Sequence, residues 1–353
     1  MVLKIGILPG DDIGLEVVTE CVKVMKAAAA AVGLDCEWRE LPIGRRGHEL
    51  HGHSFPVVTE EALRKLDGWI LGPIGHSAYP RNDPTWIVPP VRKRFELFAS
   101  IKPVKSYPNI ASVHKDVDIV FLREVNEGMQ SSIIAAAGSG EFRPNDEISI
   151  GTRVITRRGA RRVAREAFEI ARTRIRKKVT AVHKEPVFRL TCGMFAEECR
   201  SVAAEFPDVT FEEAMVDTFA MKLVMSPQQY DVVVTTNQFG DILTDEGAGL
   251  VGGLGLAPGL CVGERHAMAQ ATHGSAPDIA GKGIANPYAM IMSGKMLFEW
   301  LGRKYREPKA AEAAGRVDRA MDRVIEEGRA LTRDLGGRAG AVEMGDAVAA
   351  AVG

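Results

Sequence analysis

Residues 237–259 read NQFGDILTDEGAGLVGGLGLAPG, and the apolar run Tyr230-Asp231-Val232-Val233-Val234 leads straight into them. A buried strand followed at once by a helical pattern is the repeating step of an α/β fold. Asp241 and Asp245 are four residues apart, which on a helix puts both carboxylates on one face, one turn from each other. Two carboxylates aimed at one point, just past the end of a strand, can hold a hard divalent cation such as Mg²⁺ or Mn²⁺. Acids near a helix N-terminus also complement its dipole without any metal. The spacing alone leaves both readings open.

The same step recurs along the chain. Residues 3–8 are an apolar strand, followed by Pro9-Gly10-Asp11-Asp12-Ile13-Gly14 and a helical pattern over 15–32. This is a glycine-containing turn but not a G-x-G-x-x-G fingerprint. Residues 36–41 alternate as a strand, 59–66 read as a helix capped by Thr59, and 69–74 as a buried strand. Trp86-Ile87-Val88-Pro89-Pro90 is apolar yet broken by prolines, so it reads as a lid or pocket wall, not a helix interior. Residues 91–98 return to helical spacing, 100–105 are extended, and 117–122 form a strand that delivers Arg123. A β arm is expected before residue 156, then a basic helix over 157–174. Strands at 178–183 and 210–216 deliver Lys184 and Asp217, with helices at 191–205 and 219–225. A glycine-rich loop follows Pro258, and helices over 288–300, 310–329 and 345–352 close the chain.

Composition excludes several classes. The 353 residues suit about two domains, and a formal net charge of −1 gives no global pull toward nucleic acid or an anionic membrane. The arginines of 157–174 lack interleaved aromatics for stacking on bases. Five scattered cysteines without metal-ligand spacing fit a reducing compartment. No apolar run approaches a bilayer span, and no signal-peptide pattern is seen. The expectation is a cytoplasmic enzyme with neither a nucleic-acid nor a membrane partner.

Arg92, Lys102, Arg123, Lys184, Asp217, Asp241 and Asp245 are the chemistry-capable groups, several of them at strand ends. Cations beside acids suit a metal-chelated, polyanionic small substrate. With LPGDDIG at 8–14, RE-x-x-EG at 123–128, VHK at 182–184, VD at 216–217, the 237–259 stretch and HGSAPDIAGKGIANP at 273–287, nearly the whole chain resembles the β-decarboxylating dehydrogenases of 2-hydroxy acids, the isocitrate/isopropylmalate dehydrogenase family.

The resemblance implies an isopropylmalate-dehydrogenase-like α/β subunit of two lobes. Residues 1–98 with 250–353 would form a larger, dinucleotide-binding lobe with a parallel-rich sheet. Residues 99–249 would form a smaller lobe carrying the β arm and a homodimer interface. Asp241 and Asp245 look like metal ligands of one subunit, and Asp217 like the ligand lent by its partner, together with the general base Lys184. Arg92, Lys102 and Arg123 look like carboxylate-binding groups, with Val88 in the substrate wall. His273, Gly274, Ser275, Ala276, Asp278, Ile279 and Asn286 match the dinucleotide loop. An acid at Asp278 can hydrogen-bond ribose hydroxyls and repel a 2′-phosphate, which favours NAD. The implied reaction passes a hydride from C2 of a dicarboxylate to NAD while a base removes the hydroxyl proton, followed by loss of CO₂ with Mg²⁺ or Mn²⁺ stabilising the enolate.

Four positions depart from the family pattern. Gln130 replaces the tyrosine that protonates the enol, and Lys102 replaces an arginine, a point charge for a fork. Pro186 replaces an asparagine two residues after the lysine, and Gln270 replaces a glutamate three residues before His273. The retained base and acids favour an active enzyme over a regulatory partner subunit. The apolar 86–90 segment offers nothing to a third carboxylate, so 3-isopropylmalate or another 3-alkylmalate is expected ahead of D-malate or tartrate, with isocitrate and homoisocitrate disfavoured.

Overall fold

The computed structural model describes residues 1–75, 88–129 and 140–353. In chain order its strands are β1 (Leu3–Leu8), β2 (Cys36–Glu40), β3 (Gly68–Leu71), β4 (Ala99–Lys105), β5 (Asp118–Glu124), β6 (Glu141–Asn145), β7 (Ile148–Gly151), β8 (Lys178–His183), β9 (Thr210–Met215), β10 (Val232–Thr235), β11 (Leu260–Val262) and β12 (Ala267–Ala269). The helices are α1 (Gly14–Val32), α2 (Gly44–His51), α3 (Val57–Leu63), α4 (Val88–Arg94), α5 (Arg157–Thr173), α6 (Thr191–Ala203), α7 (Val216–Met225), α8 (Asn237–Val251), α9 (Tyr288–Tyr305), α10 (Pro308–Glu327) and α11 (Ala341–Val352).

Among the described residues one ten-stranded sheet runs in the order β2-β1-β3-β12-β11-β4-β5-β10-β8-β9. The pairings β12–β11, β11–β4 and β4–β5 are antiparallel and sit in the middle. All others are parallel. The fold is therefore α/β with a mostly parallel sheet, as the strand–helix alternation requires. Strands from residues 3–71 and 260–269 make one half, and strands from residues 99–235 the other. The parallel character expected of the larger lobe extends through both halves.

Helices cover both faces, so the central strands read as continuous apolar runs. Strand alternation then assigns each side chain a layer. Ile101, Val120, Leu122, Val232 and Val234 face the main core, with α1, α5, α9 and α10. Val104, Ile119, Phe121 and Val233 face a second core with Phe219 and Leu223 of α7 and Leu243 of α8. Lys102 and Arg123 belong to this second register, on the face that α8 covers.

Several local expectations are corrected. Thr59 does not cap a helix at its own position: α3 begins at Val57 after Pro56, and the Thr59 hydroxyl donates to the Pro42 carbonyl at 2.6 Å. Residues 88–94 are helical, because Pro89 and Pro90 fall in the first turn, where a missing N–H costs no bond. The lid or wall reading of residues 86–90 rests on two residues and three side chains that lie outside the described ones. The α7 helix starts at Val216, three residues earlier than expected, and takes Asp217 into its first turn. The loop after Pro258 contains the short strands β11 and β12. The β arm is present as the exposed hairpin β6–β7. All five cysteines are free. Among the described residues no helix is long and apolar enough to cross a membrane.

Candidate active site

Strands β4 and β5, packed antiparallel, present Lys102 and Arg123 on one face. The first turns of α8 close over them. Arg123 donates from Nε and Nη2 to Asn237 Oδ1 at 3.0 and 2.6 Å, and its Nη1 pairs with Asp241. Lys102 Nζ donates to Thr244 Oγ1 at 3.0 Å and lies 3.8 Å from Asp245 Oδ1. Arg92, on α4, donates from Nη2 to Gln270 Oε1 at 3.2 Å, and its buried Nε has no partner among the described residues. Five of the expected residues thus converge: Arg92, Lys102, Arg123, Asp241 and Asp245. Burial, then the Arg123 charge, brings the Lys102 ammonium down to about 8. Burial and Arg92 lower Arg123 as well.

The close approach depends on Gly240. A Cβ there would lie 2.7 Å from both Cβ and Cγ of Arg123. The turn after Arg123 is built by its own acids. Glu124 accepts from the backbone N–H of Asn126 and Glu127, the latter at 2.8 Å. Glu127 accepts from the N–H and hydroxyl of Thr156 at 2.9 and 2.7 Å, tying the turn to the N-cap of α5. Asn237 Nδ2 donates to the Glu127 carbonyl at 2.8 Å. RE-x-x-EG is therefore partly a scaffold motif in this fold.

Lys184 and Asp217 stand apart from that cluster. They come from the ends of the adjacent parallel strands β8 and β9, and their side chains meet at 2.6 Å. The bond to Lys184 holds the Asp217 carboxyl below its ordinary range. Among the described residues no side-chain contact joins this pair to the arginine cluster.

Beside Lys184, His183, Glu185 and Glu213 bring three potential ligand atoms together. This is not the aspartate set expected from the sequence. Arg200 already supplies the cation there, donating to Glu185 Oε2 at 2.6 Å and to Glu213 Oε2 at 3.0 Å. The grouping is a closed ion-pair network.

The 273–287 segment lies against the β1–α1 turn: Ile13 N–H donates to Ser275 O at 3.1 Å, and Gly281 N–H to Glu16 Oε1 at 2.7 Å. His273 Nδ1 contacts the Gly274 carbonyl, and burial lowers its imidazole. Ala276 takes a left-handed backbone, φ 42°, and Ile279 packs on the core. Gly274 and Asp278 are exposed. Asn286 donates to Asp334 Oδ2 at 2.8 Å.

Both implied cofactors fit these residues. The half-exposed Asp241 and Asp245 carboxylates are hard oxygen donors on one helix face, matched to Mg²⁺ or Mn²⁺. Among the described residues the buried His273 Nε2 and Thr272 Oγ1 have no hydrogen-bond partner, so this segment has polar atoms to offer a ligand. Asn237, Thr244 and Asp334 were not singled out from the sequence. Asn237 and Thr244 stand in the 237–259 stretch at one-turn offsets from the aspartates, a readable signal; Asp334 is far from its partner in sequence and gave none. The side chain of Val88, and Gln130 entirely, lie outside the described residues.

The profile of the isocitrate/isopropylmalate dehydrogenase family matches residues 4–348. The chain is 37% identical over 347 residues to a 3-isopropylmalate dehydrogenase of Methanothermobacter thermautotrophicus, covering 98% of each. It is 39% identical over 346 residues to an isocitrate/homoisocitrate dehydrogenase of Thermus thermophilus, covering 96% of this chain and 95% of the relative. The crystal structure of isocitrate dehydrogenase from Methylococcus capsulatus superposes with a TM-score of 0.87 at 38% identity, covering 99% of each chain.

Proposed function

The chain belongs to the isocitrate/isopropylmalate dehydrogenase family and is a decarboxylating hydroxy-acid dehydrogenase; from that premise we propose that it catalyses the NAD-linked, divalent-metal-dependent oxidative decarboxylation of a malate-type acid, with 3-isopropylmalate or another 3-alkylmalate as substrate. The observation that carries this reading is the convergence of Arg92, Lys102 and Arg123 with Asp241 and Asp245 on one sheet face. Overall identity does not choose the substrate, since isopropylmalate and isocitrate enzymes are about equally similar. The choice rests on residues 86–90, which offer no partner to a third carboxylate.

In this reading Arg92, Lys102 and Arg123 bind the two carboxylates and fix the C2–H bond toward the 273–287 loop. Asp241 and Asp245 would hold the divalent ion, with Asp217 of the partner subunit as a further carboxylate donor. The bound ion would stabilise negative charge on the C2 oxygen, and bound NAD would take the hydride. The partner's Lys184 is the group placed to take the hydroxyl proton. Asp217 orients that amine through the 2.6 Å contact. Asp278 and Asn286 hold the adenosine end.

A shared site needs a dimer. Met221, Val224 and Met225 form an exposed apolar stripe on α7, Ile242 is exposed on α8, and Phe142, Ile148 and Ile150 are exposed on the hairpin. These surfaces support a homodimer made through α7, α8 and the arm. Residues 1–98 with 250–353 and residues 99–249 act as two lobes that close over substrate. The departures at Gln130, Lys102, Pro186 and Gln270 favour one second reading, a catalytically impaired regulatory or partner subunit. The test is NADH formation by the purified protein with Mn²⁺ on 3-alkylmalates, D-malate, tartrate, isocitrate and homoisocitrate, with CO₂ followed in parallel. NADH with equal CO₂ on a 3-alkylmalate is expected. NADH only from isocitrate refutes the substrate assignment, and silence throughout refutes the activity.

A further inference from the structure

The segments that carry the two groups of site residues meet at a side chain that belongs to neither group. Arg153 lies between the hairpin β6–β7 and α5. Its guanidinium is sandwiched between Phe188 and Phe239, 5.0 Å from each ring centroid. Its Nη2 donates to Thr236 Oγ1 at 3.2 Å and to Cys192 Sγ at 3.4 Å.

Each contact leads to one group. Phe188 closes a tight turn begun by Lys184, whose carbonyl accepts from the N–H of Val187 and of Phe188 at 3.1 and 2.9 Å. Cys192 continues that turn into α6, its N–H donating to the Phe188 carbonyl at 2.9 Å. Pro186, in the middle of the turn, fixes φ and offers no amide side chain of its own to hold substrate or neighbours. On the other side, Thr236 precedes α8 and Phe239 lies in its first turn, two residues before Asp241. A planar, delocalised cation is suited to bridging two ring faces, and an ammonium is not.

We propose that Arg153 is a positioning residue that sets the Lys184-bearing turn against the first turn of α8, so that one guanidinium fixes both the base a subunit lends to its partner's site and the metal-binding face it keeps. This rests on the proposed shared-site reading for its functional consequence. Its structural content does not.

The test compares Arg153→Gln and Arg153→Lys in the full-length dimer. Hydrogen–deuterium exchange without ligands should rise together in residues 184–190 and 236–241 for both variants, with thermal midpoint and dimer mass held as checks on folding. In turnover, kcat should fall roughly tenfold to hundredfold, with the KM for NAD within about twofold. Arg153→Lys should fail to rescue, because it keeps the charge and loses the stacking plane. Unchanged exchange at either segment overturns the proposal, as does full rescue by lysine. Should the wild type turn over no substrate, the proposed function fails while the exchange arm still decides the role of Arg153.

Discussion

Gly240→Ala and Gly249→Ala add the same methyl group to the same helix, α8, and are expected to act in opposite directions. Intrinsic propensity favours alanine by about 1 kcal/mol at either position. At Gly249 an added Cβ meets nothing within 4 Å, so that gain stands. At Gly240 the new Cβ would sit 2.7 Å from Arg123 Cβ and Cγ. Carbon contacts settle at about 3.5–4.0 Å, so helix and strand must part by on the order of 1 Å. Overpacking of this kind costs about 1–3 kcal/mol, leaving a net loss of about 0–2 kcal/mol after the propensity gain. The functional cost is larger than the stability cost. Arg123 is pinned by Asn237 and Asp241 of the same helix, so a shift disturbs the proposed substrate cation and the proposed metal face at once. Misplacement by about 1 Å costs on the order of a hundredfold in kcat/KM. Urea unfolding supplies the stabilities and steady-state NADH formation the rates. A Gly240→Ala enzyme with kcat/KM near that of wild type, or a Gly249→Ala variant equally impaired, would refute the close-approach reasoning.

Mixing Lys184→Met subunits with Asp241→Asn subunits should restore activity that neither has alone, because a mixed dimer holds one intact site, giving about a quarter of the wild-type rate at random assortment; no recovery after subunit exchange would place each site within one chain. Burial, then the Glu127 charge, raises the Glu124 carboxyl from an ordinary 4.5 to about 7. A raised acid contributes stability in full below its unfolded value and loses it as pH climbs through the folded value. Between 4.5 and 7 wild type should therefore lose about 3 kcal/mol relative to Glu124→Gln. Urea midpoints of the two proteins that run parallel from about pH 4 to about pH 8 would sink this account. Lys102→Arg supplies a fork beside Arg92 and Arg123 and should lower substrate KM about threefold or more; an increase would mean the cavity is shaped for the ammonium.

The α/β alternation and most strands were legible because buried parallel strands are continuous apolar runs with few competing patterns. Element edges were not, where tertiary contact overrode the local signal: Thr59 spends its hydroxyl on Pro42, and Asp217 is drawn into the first turn of α7. β11 and β12 were missed because three-residue strands carry no period to detect. At the site, Asp241 and Asp245 announced themselves by spacing, and Arg123 by its place at a strand end. What spacing could not convey was separation. Lys184 and Asp217 arrive on β8 and β9, and only the sheet order puts β10 between them and Arg123.

Charge explains why the separated pair suits a dicarboxylate. Arg92, Lys102 and Arg123 against Asp241 and Asp245 leave one positive charge in the cluster. On the proposed reading a divalent ion and Asp217 of the partner subunit raise that to two, with Lys184 of the partner subunit counted only as the proton acceptor. A malate-type dianion then neutralises the site, which matters because uncompensated charge in a closed, water-poor cleft is costly. On the same reading a tricarboxylate would leave one negative charge over, and the 86–90 sequence contains no cationic side chain to meet it. Removing one cation should therefore hurt a dicarboxylate and leave no tricarboxylate activity behind, whereas adding one on that segment, as in Val88→Arg, should raise isocitrate oxidation relative to 3-isopropylmalate. If Val88→Arg lowers both equally, residues 86–90 do not read the substrate's third group, and the selection lies elsewhere in the cleft.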